Sequence, residues 1–188
     1  MPKEPSNPKK SATLDGNLLL ADPSLRDGCF DRSVVLLLEH GKEDGAFGLV
    51  LNHPIGQVVG DFLTDDEFAP LRKIAVHSGG PVSAEQMTFC SLWWSPKRGL
   101  RYRSRISSED AVKQSRMPGR IVRAFIGYSG WTPGQLEKEM KANAWVTIRP
   151  GPELFGQPHD RALWTNVMAG ISPFHRILSL APDHPFLN

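Results

Sequence analysis

The stretch that decides the fold reads IVRAFI at residues 121–126 and GYSGWTPGQLEKEM at residues 127–140. The first part is mostly apolar and predicts a strand, and the glycines that follow it predict a turn. Thr132 is placed to cap a helix, because a proline follows at the first helical position and Gln135 stands three residues after the cap. The sequence therefore predicts a strand–turn–helix unit, with the helix over residues 132–141.

A junction of this kind is where a nucleophile would be expected first. Residues 127–131 (GYSGW) nearly match the G-x-S-x-G elbow that presents a catalytic serine. Trp131 stands where that elbow needs a small residue, and no spacing in the chain places a histidine beside Ser129. A turn serine without a catalytic role is the favoured interpretation. A small hydrolase or transferase that uses Ser129, or Glu39 with His40, stays an alternative function.

Working outward from this unit, strands dominate the first half of the chain, and helices mix with strands in the second half. We predict further strands at residues 17–21, 33–38, 45–53, 74–77, 86–93, 101–106 and 145–149. We predict further helices at residues 57–63, 107–115 and 160–169, the last of them ended by Gly170. This order predicts an α+β fold with a mixed or mostly antiparallel, curled sheet and a few flanking helices.

The composition is typical of one globular domain with a polar tail. Of the 188 residues, 40% are hydrophobic and 22% are charged, which suits a single domain at residues 13–188. Residues 1–12 are rich in Pro, Lys, Ser and Asn and predict a disordered tail. This tail lacks the apolar stretch of a signal peptide, and no apolar run reaches the ~20 residues of a membrane span. We therefore expect a cytoplasmic protein without a membrane partner.

Arginines alternate along the strand predicted at residues 101–106. Arg101, Arg103 and Arg105 would share one face of it, with Tyr102 on the opposite face. Such a stripe could contact phosphates, so direct DNA binding is a second alternative function. A charged face that protects an edge strand from aggregation is the favoured interpretation, since no DNA-reading motif accompanies the arginines and the net charge is only +2.

Polar residues and glycines gather where the predicted strands end. Glu39 and His40 end one strand, and because adjacent strand residues point to opposite faces, these two cannot bind one metal without a bend. The chain contains no H-E-x-x-H motif and no Cys/His array, so we predict no metal and no cofactor. Gly79 and Gly80 follow another strand and permit a close backbone approach. A tight structural turn is favoured there over a ligand cradle.

Several sequence blocks, in this order, resemble the YqgE/AlgH family of small bacterial proteins. The blocks are NLL at 17–19, FDRSVV at 30–35, EH at 39–40, GLVLN at 48–52, GGPV at 79–82, GYSGW at 127–131 and GQLE at 134–137. The resemblance covers nearly the whole chain after the tail, and it implies a compact single domain with a partly barrel-like sheet. Some members are called transcriptional regulators through a link to alginate regulation. The family implies no catalytic residue and no cofactor.

The leading interpretation is a non-enzymatic regulatory domain that binds a ligand or another protein. We expect its polar and glycine motifs to converge on one face, since binding residues concentrate at strand ends and turns. Arg32 could pair with a carboxylate or phosphate, and Trp131 could stack on a ligand. The sequence leaves the partner open; a protein or a small anionic ligand would suit these residues. The predicted binding residues are Arg32, Glu39, His40, Asn52, Gly79, Gly80, Trp131, Gln135 and Glu137.

Overall fold

A computed structural model describes residues 13–25 and 28–181 of the chain. The tail predicted at residues 1–12 lies outside the described residues. Within the described ranges the chain forms nine strands: β1 (Leu18–Ala21), β2 (Val34–Gly41), β3 (Gly45–Val50), β4 (Pro54–Val58), β5 (Ala75–Ser78), β6 (Val82–Ser95), β7 (Gly99–Ile106), β8 (Arg120–Trp131) and β9 (Trp145–Ile148). The α-helices are α1 (Ser108–Ser115), α2 (Gln135–Lys141), α3 (Ala162–Ile171) and α4 (Pro173–Ser179). Short 3₁₀ helices lie at Val59–Asp61, Asp66–Leu71 and Pro152–Gly156.

The strands form one mixed sheet that β8 divides into two halves. The order is β4-β5-β8-β3-β2-β1-β9, and β6 joins β8 on its other side and carries β7 at its edge. The first part of β8 pairs with β5 in parallel and with β6 antiparallel, whereas Ser129–Trp131 pairs with β3. Gly127 allows β8 to turn between the two halves, since its φ is +71° and an added Cβ would lie 2.4 Å from the Gly80 oxygen. The predicted α+β fold with a mixed, curled sheet is confirmed.

Three apolar clusters hold the helices on this sheet. The largest joins both halves of the sheet to α3, whose Trp164 and Met168 are fully buried against residues such as Leu92 and Phe125. A second cluster packs α1 and two 3₁₀ helices on β5, β6 and β8. The third packs α2, through Leu136, on the other face of β1, β2 and β3. Burial of this apolar area is the main favourable term for the fold, at roughly 25 cal/mol per Å².

The strand–turn–helix unit differs from its prediction at both junctions. β8 continues to Trp131 instead of ending at residue 126, because β3 supplies a pairing partner for its last residues. Helix α2 begins at Gln135 rather than Thr132, because Gly134 takes the N-cap position with a φ of +77°. Gln135 Oε1 still accepts from the Thr132 N–H at 3.0 Å, so one half of the predicted capping box forms outside the helix.

Two other element predictions are wrong. Residues 57–63 do not form one helix, because β4 pairs with β5 as far as Val58 and only a single 3₁₀ turn follows. Gly170 does not end α3, which runs on to Ile171 before Ser172 starts the next helix. Helix α4 was not predicted. Its start carries an ordinary cap signal, because Ser172 accepts from the His175 N–H and a proline stands at the first helical position.

Candidate functional site

An open cleft of about 680 Å³ lies at the end of the β2–β3 hairpin. The hairpin forms one wall, the last residues of β8 form another, and Arg105 of β7 reaches in from the side. Its charged lining residues are Asp15, Glu39, Asp44 and Arg105, and its aromatic lining residues are Phe47, Tyr128 and Trp131. Because three carboxylates face one guanidinium, the cleft carries net negative charge beside apolar ring surfaces.

Glu39 and His40 contribute to two different walls of the cleft. Glu39 is paired with Phe47 across the hairpin, and its Oε1 lies 3.1 Å from Nη1 of Arg105. His40 is paired with Ala46, and its Nε2 lies 3.0 Å from Oε1 of Glu137 on α2. The two side chains therefore reach partners in different elements, as the alternation along a strand requires. They do not act on one common atom.

Both ring nitrogens of His40 are engaged. Nδ1 accepts from the Leu14 N–H at 3.4 Å, so Nε2 carries the proton and donates it to Glu137. The pKa of Glu137 is lowered, first by the backbone N–H at the start of α2 and then by His40. A general base needs a ring nitrogen that faces the substrate, and His40 has committed both of its nitrogens within the protein. This geometry favours a positioning role for His40 over an acid–base role.

Ser129 is buried in the sheet and does not face the cleft. Ser129 has no exposed surface, and its hydroxyl donates to the Gly79 carbonyl at 3.0 Å. A nucleophilic serine has to present its oxygen to a substrate and give its proton to a base. The structure instead uses this hydroxyl to join β8 to the residues that follow β5, which agrees with a turn serine without a catalytic role.

Glu139 of α2 bonds the side chains of two tryptophans, and the sequence analysis missed it. Its Oε2 accepts from the indole N–H of Trp131 at 2.9 Å and from that of Trp145 at 2.8 Å. Its Oε1 accepts from Gln135 at 3.0 Å. The i, i+4 spacing to Gln135 is visible in the sequence, but the meeting of two tryptophans from different strands is not. The indole N–H of Trp131 is therefore bonded within the fold, and its ring packs against Phe30 and Trp145.

Replacement of Glu139 by alanine is expected to lower the free energy of unfolding by about 2–3 kcal/mol, because two largely buried indole N–H groups lose a charged acceptor. Glu137→Ala is the matched control on the same helix. It breaks a partly exposed pair with His40 and should cost at most about 1 kcal/mol. Urea unfolding followed by tryptophan fluorescence measures both values. Equal losses would show that the carboxylate does not hold the two indoles.

Two of the predicted binding residues lie away from the cleft and serve the fold. Asn52 is fully buried, where its Oδ1 accepts from the Val34 N–H at 2.8 Å and its Nδ2 donates to the Arg32 carbonyl at 2.9 Å. The Arg32 guanidinium donates to the Ala181 carbonyl and lies 5.3 Å from the Trp164 ring centroid. Asn52 therefore joins two loops, and Arg32 ties the end of α4 to the body of the domain.

Gly79 and Gly80 are not among the lining residues of the cleft, and they allow two backbones to touch. A Cβ added at Gly79 would lie 2.3 Å from the Gly127 oxygen, and one added at Gly80 would lie 2.3 Å from the Tyr128 oxygen. These positions require glycine for packing, as the structural interpretation of the turn predicts. Of the nine predicted residues, the structure thus places Glu39, His40 and Trp131 in the lining of the cleft, whereas Gln135 and Glu137 bond to Glu139 and His40 outside that lining.

The predicted stripe of three arginines is wrong for Arg105. The pairing of β6 with β7 slips by one residue, so Ser104 and Arg105 both stand opposite Cys90 in a β-bulge. Arg105 has a φ of +52°, and its side chain turns to Glu39 and Phe47, on the side of the strand where Tyr102 donates to the Leu38 carbonyl. The bulge leaves two exposed arginines on the outer face and brings the third into the cleft.

Comparison with known proteins identifies the family of this chain. The family model DUF179, described as AlgH-like, matches residues 18–173. The chain belongs to the AlgH-like family. A UPF0301 protein of Streptomyces coelicolor is 33% identical to this AlgH-like chain, over 94% of it and 96% of the relative. One from Chlamydia pneumoniae is 35% identical, over 92% of the chain and 95% of the relative. The resemblance drawn from the sequence blocks is confirmed.

Two solved structures share the fold of the AlgH-like chain. The solution structure of the AlgH protein from Pseudomonas aeruginosa has a TM-score of 0.65 at 25% identity, covering 97% of this chain and all of that one. The crystal structure of a Corynebacterium diphtheriae protein has a TM-score of 0.68 at 22% identity, covering 91% and 93%. Within the described residues, no helix of the AlgH-like chain is long and apolar enough to cross a membrane. No group of three His, Cys, Asp or Glu side chains in that part could hold a metal ion.

Proposed function

We propose that this AlgH-like protein is a non-enzymatic binding protein and that it regulates its partner through the cleft at the hairpin end. The observation that carries the proposal is the cleft itself, whose volume falls within the roughly 300–1,000 Å³ of ligand sites. Its polar groups suit recognition, since carboxylates and a guanidinium stand beside aromatic rings. The candidate nucleophile Ser129 is buried, and the candidate base His40 is bonded through both nitrogens.

A segment of another protein is the partner that the shape supports best. A second cavity of about 250 Å³ adjoins the cleft and shares Phe47, Arg105 and Tyr128 with it. Together the two cavities extend along the surface, which suits a chain segment better than a compact metabolite. The small anionic ligand that Arg32 suggested has less support, because Arg32 lies elsewhere and the cleft is negatively charged.

Regulation through a protein partner also has more support than regulation through direct DNA contact. Only Arg101 and Arg103 of the predicted stripe stay on its exposed outer face, and phosphate binding gains its strength from many basic contacts.

We place the protein in the cytoplasm because both of its cysteines are free thiols. One of them, Cys90, is buried, which raises the pKa of its thiol to about 12.

A cleft-filling variant tests the proposal. Gly130 lines the cleft in an ordinary strand conformation, and a side chain there would first meet the movable ring of Tyr128. Gly130→Leu is therefore expected to fold and to bind the selected peptides about tenfold or more weakly than the unchanged protein does. Tenfold corresponds to a loss of about 1.4 kcal/mol in binding free energy. Peptides are selected from a displayed library of random heptapeptides on the unchanged protein, and their affinities are measured by fluorescence anisotropy.

Gly170→Leu is the matched control for this experiment, because Gly170 is exposed on α3 and a Cβ added there would meet none of the described atoms within 4 Å. This control should bind the selected peptides like the unchanged protein. Peptides that bind Gly130→Leu with undiminished affinity would place their site outside the cleft and overturn the proposal.

A further inference from the structure

The cleft already contains a bound guanidinium, and it belongs to the protein itself. Cζ of Arg105 lies 3.9 Å from the ring centroid of Phe47, and Nη1 lies 3.1 Å from Oε1 of Glu39. An aromatic face with a carboxylate at its edge is the arrangement by which proteins hold a planar guanidinium. We infer that this site recognises an arginine side chain of the partner and that Arg105 is an internal substitute which the partner's arginine displaces. This inference rests on the proposed function.

The contacts that hold Arg105 in place are easily given up. The Arg105 and Glu39 side chains are each 56% exposed, and an ion pair so open to water contributes little net stability. Arg105 also adopts a left-handed backbone conformation, with a φ of +52°, which is unfavourable for a residue with a side chain. This strain lies in the backbone of the bulge, so the weak ion pair is what allows the Arg105 side chain to leave Phe47 and Glu39 at little cost in free energy.

Displacement of Arg105 would open the site along its whole length. Arg105 lines both the main cleft and the adjoining smaller cavity, and Phe47 and Tyr128 form the surface that these cavities share. Phe47 is only 7% exposed while the guanidinium lies over its ring. When Arg105 leaves, the ring and the Glu39 carboxylate become available together.

The remaining charges favour a cation as the incoming group. Asp15, Glu39 and Asp44 line the main cleft, and Arg105 is the basic residue that balances one of them. An incoming arginine restores that balance and keeps the stacking on Phe47. A lysine ammonium lacks the planar fork that stacks on a ring while it bonds a carboxylate, so the site favours arginine over lysine.

The test compares Arg105→Gly with the unchanged protein, because glycine removes the competing side chain and also suits the positive φ. The probe is the peptide acetyl-Gly-Arg-Gly-amide, titrated into ¹⁵N-labelled protein and followed by NMR at the amides of Ala46 and Phe47. Arg105→Gly should bind the probe about tenfold more tightly, because the probe no longer competes with the internal guanidinium for Phe47 and Glu39. Glu39→Gln should weaken binding by about tenfold or more through loss of the charged acceptor.

Two controls make the outcome specific. Arg103→Ala removes the preceding arginine of the same strand, which points away from the cleft, and should leave the affinity unchanged. The probe with citrulline in place of arginine has the same shape without the charge and should not bind. Equal binding of both probes, or no gain for Arg105→Gly, would overturn the inference. Either result could occur while library peptides still lose affinity in Gly130→Leu, so the proposed function would stand.

Discussion

Gly45→Ala is expected to lower the free energy of unfolding by about 4 kcal/mol, whereas Gly56→Ala should lower it by about 1 kcal/mol. Both glycines have a φ of +80°, so the conformational penalty of an added side chain is the same at the two positions. They differ in what surrounds them. A Cβ at Gly45 would lie 2.1 Å from the Trp131 oxygen, and one at Gly56 would meet none of the described atoms within 4 Å.

A Cβ at Gly45 is costly because it would meet a backbone oxygen, which cannot turn away as the end of a side chain can. Gly45 begins β3, and Trp131 ends β8 at the point where Ala46 and Trp131 pair. Relief of the clash would require the two strands to separate, and that separation would disturb the junction of the two half-sheets and the base of the cleft. Overpacking in a well-packed region costs about 1–3 kcal/mol beyond the conformational term.

Thermal unfolding of the two variants measures this difference directly. For a chain of this length each kcal/mol shifts Tm by about 2–4 °C, so the Gly45 variant should melt about 10 °C below the unchanged protein. The Gly56 variant serves as the control for the backbone term alone. Similar Tm values for the two variants would mean that β3 and β8 move apart without cost, and the tight junction would be refuted.

Acidification from about pH 7 to about pH 4 is expected to remove about 3 kcal/mol of stability through His159 alone. His77 and His159 are only 3% and 7% exposed. His77 Nε2 donates to the His159 carbonyl at 2.8 Å, and His159 Nε2 donates to the Leu154 carbonyl at 3.1 Å. These bonds hold the segment before α3 on β5. The Nδ1 atoms of both rings lack a hydrogen-bond partner within the described part of the chain.

Burial sets the direction of the pH dependence. It lowers the pKa of His159 to about 4, and the nearby charge of Arg123 acts in the same direction. Burial is also the largest cause that lowers the pKa values of His77 and His53. Because these values lie below the 6.5 of an unfolded histidine, the unfolded chain takes up protons first as the pH falls. The stability present above pH 6.5 is therefore lost progressively down to about pH 4.

Urea unfolding across this pH range tests the prediction with two variants. His159→Gln removes the titrating group. Between about pH 7 and about pH 4, the free energy of unfolding of this variant should therefore fall by about 3 kcal/mol less than that of the unchanged protein. The His175→Gln control changes a partly exposed histidine on α4 and should keep the pH dependence of the unchanged protein. A His159→Gln variant that loses stability as steeply as the control would show that His159 is not the source.

Local signals in the sequence predicted the elements whose structure is decided locally. Strands β2 and β3 form where strands were predicted at residues 33–38 and 45–53, because two apolar runs flank a Gly- and acid-rich turn. Helix α1 forms where a helix was predicted at residues 107–115, and Ser107 caps it, with its hydroxyl accepting from the Asp110 N–H at 3.2 Å. The sequence blocks that resemble the family also identified it correctly, because their order along the chain can be read without knowledge of the contacts. Strand ends and helix starts were placed less well wherever a distant partner decides them.

The cleft could be predicted only in part. Glu39, His40 and Trp131 stood out as polar or aromatic residues at strand ends, and the structure places them in its lining. Asn52 and Arg32 stood out for the same reason, yet they make bonds inside the fold. A polar residue at a strand end looks the same in sequence whether it faces a ligand or satisfies a buried backbone group. Only the pairing of the strands distinguishes the two cases.

The sequence by itself determined the family, the α+β class and the strand that Glu39 and His40 end, because each rests on residues close together in the chain. Tertiary structure alone decided that β8 would continue to Trp131 and that Glu139 would join two indoles. It also decided that Arg105 would leave its stripe to lie on Phe47. The physical reason is that each of these outcomes depends on a partner from another strand, and a one-residue slip in the pairing of β6 with β7 turns Arg105 from solvent into the cleft.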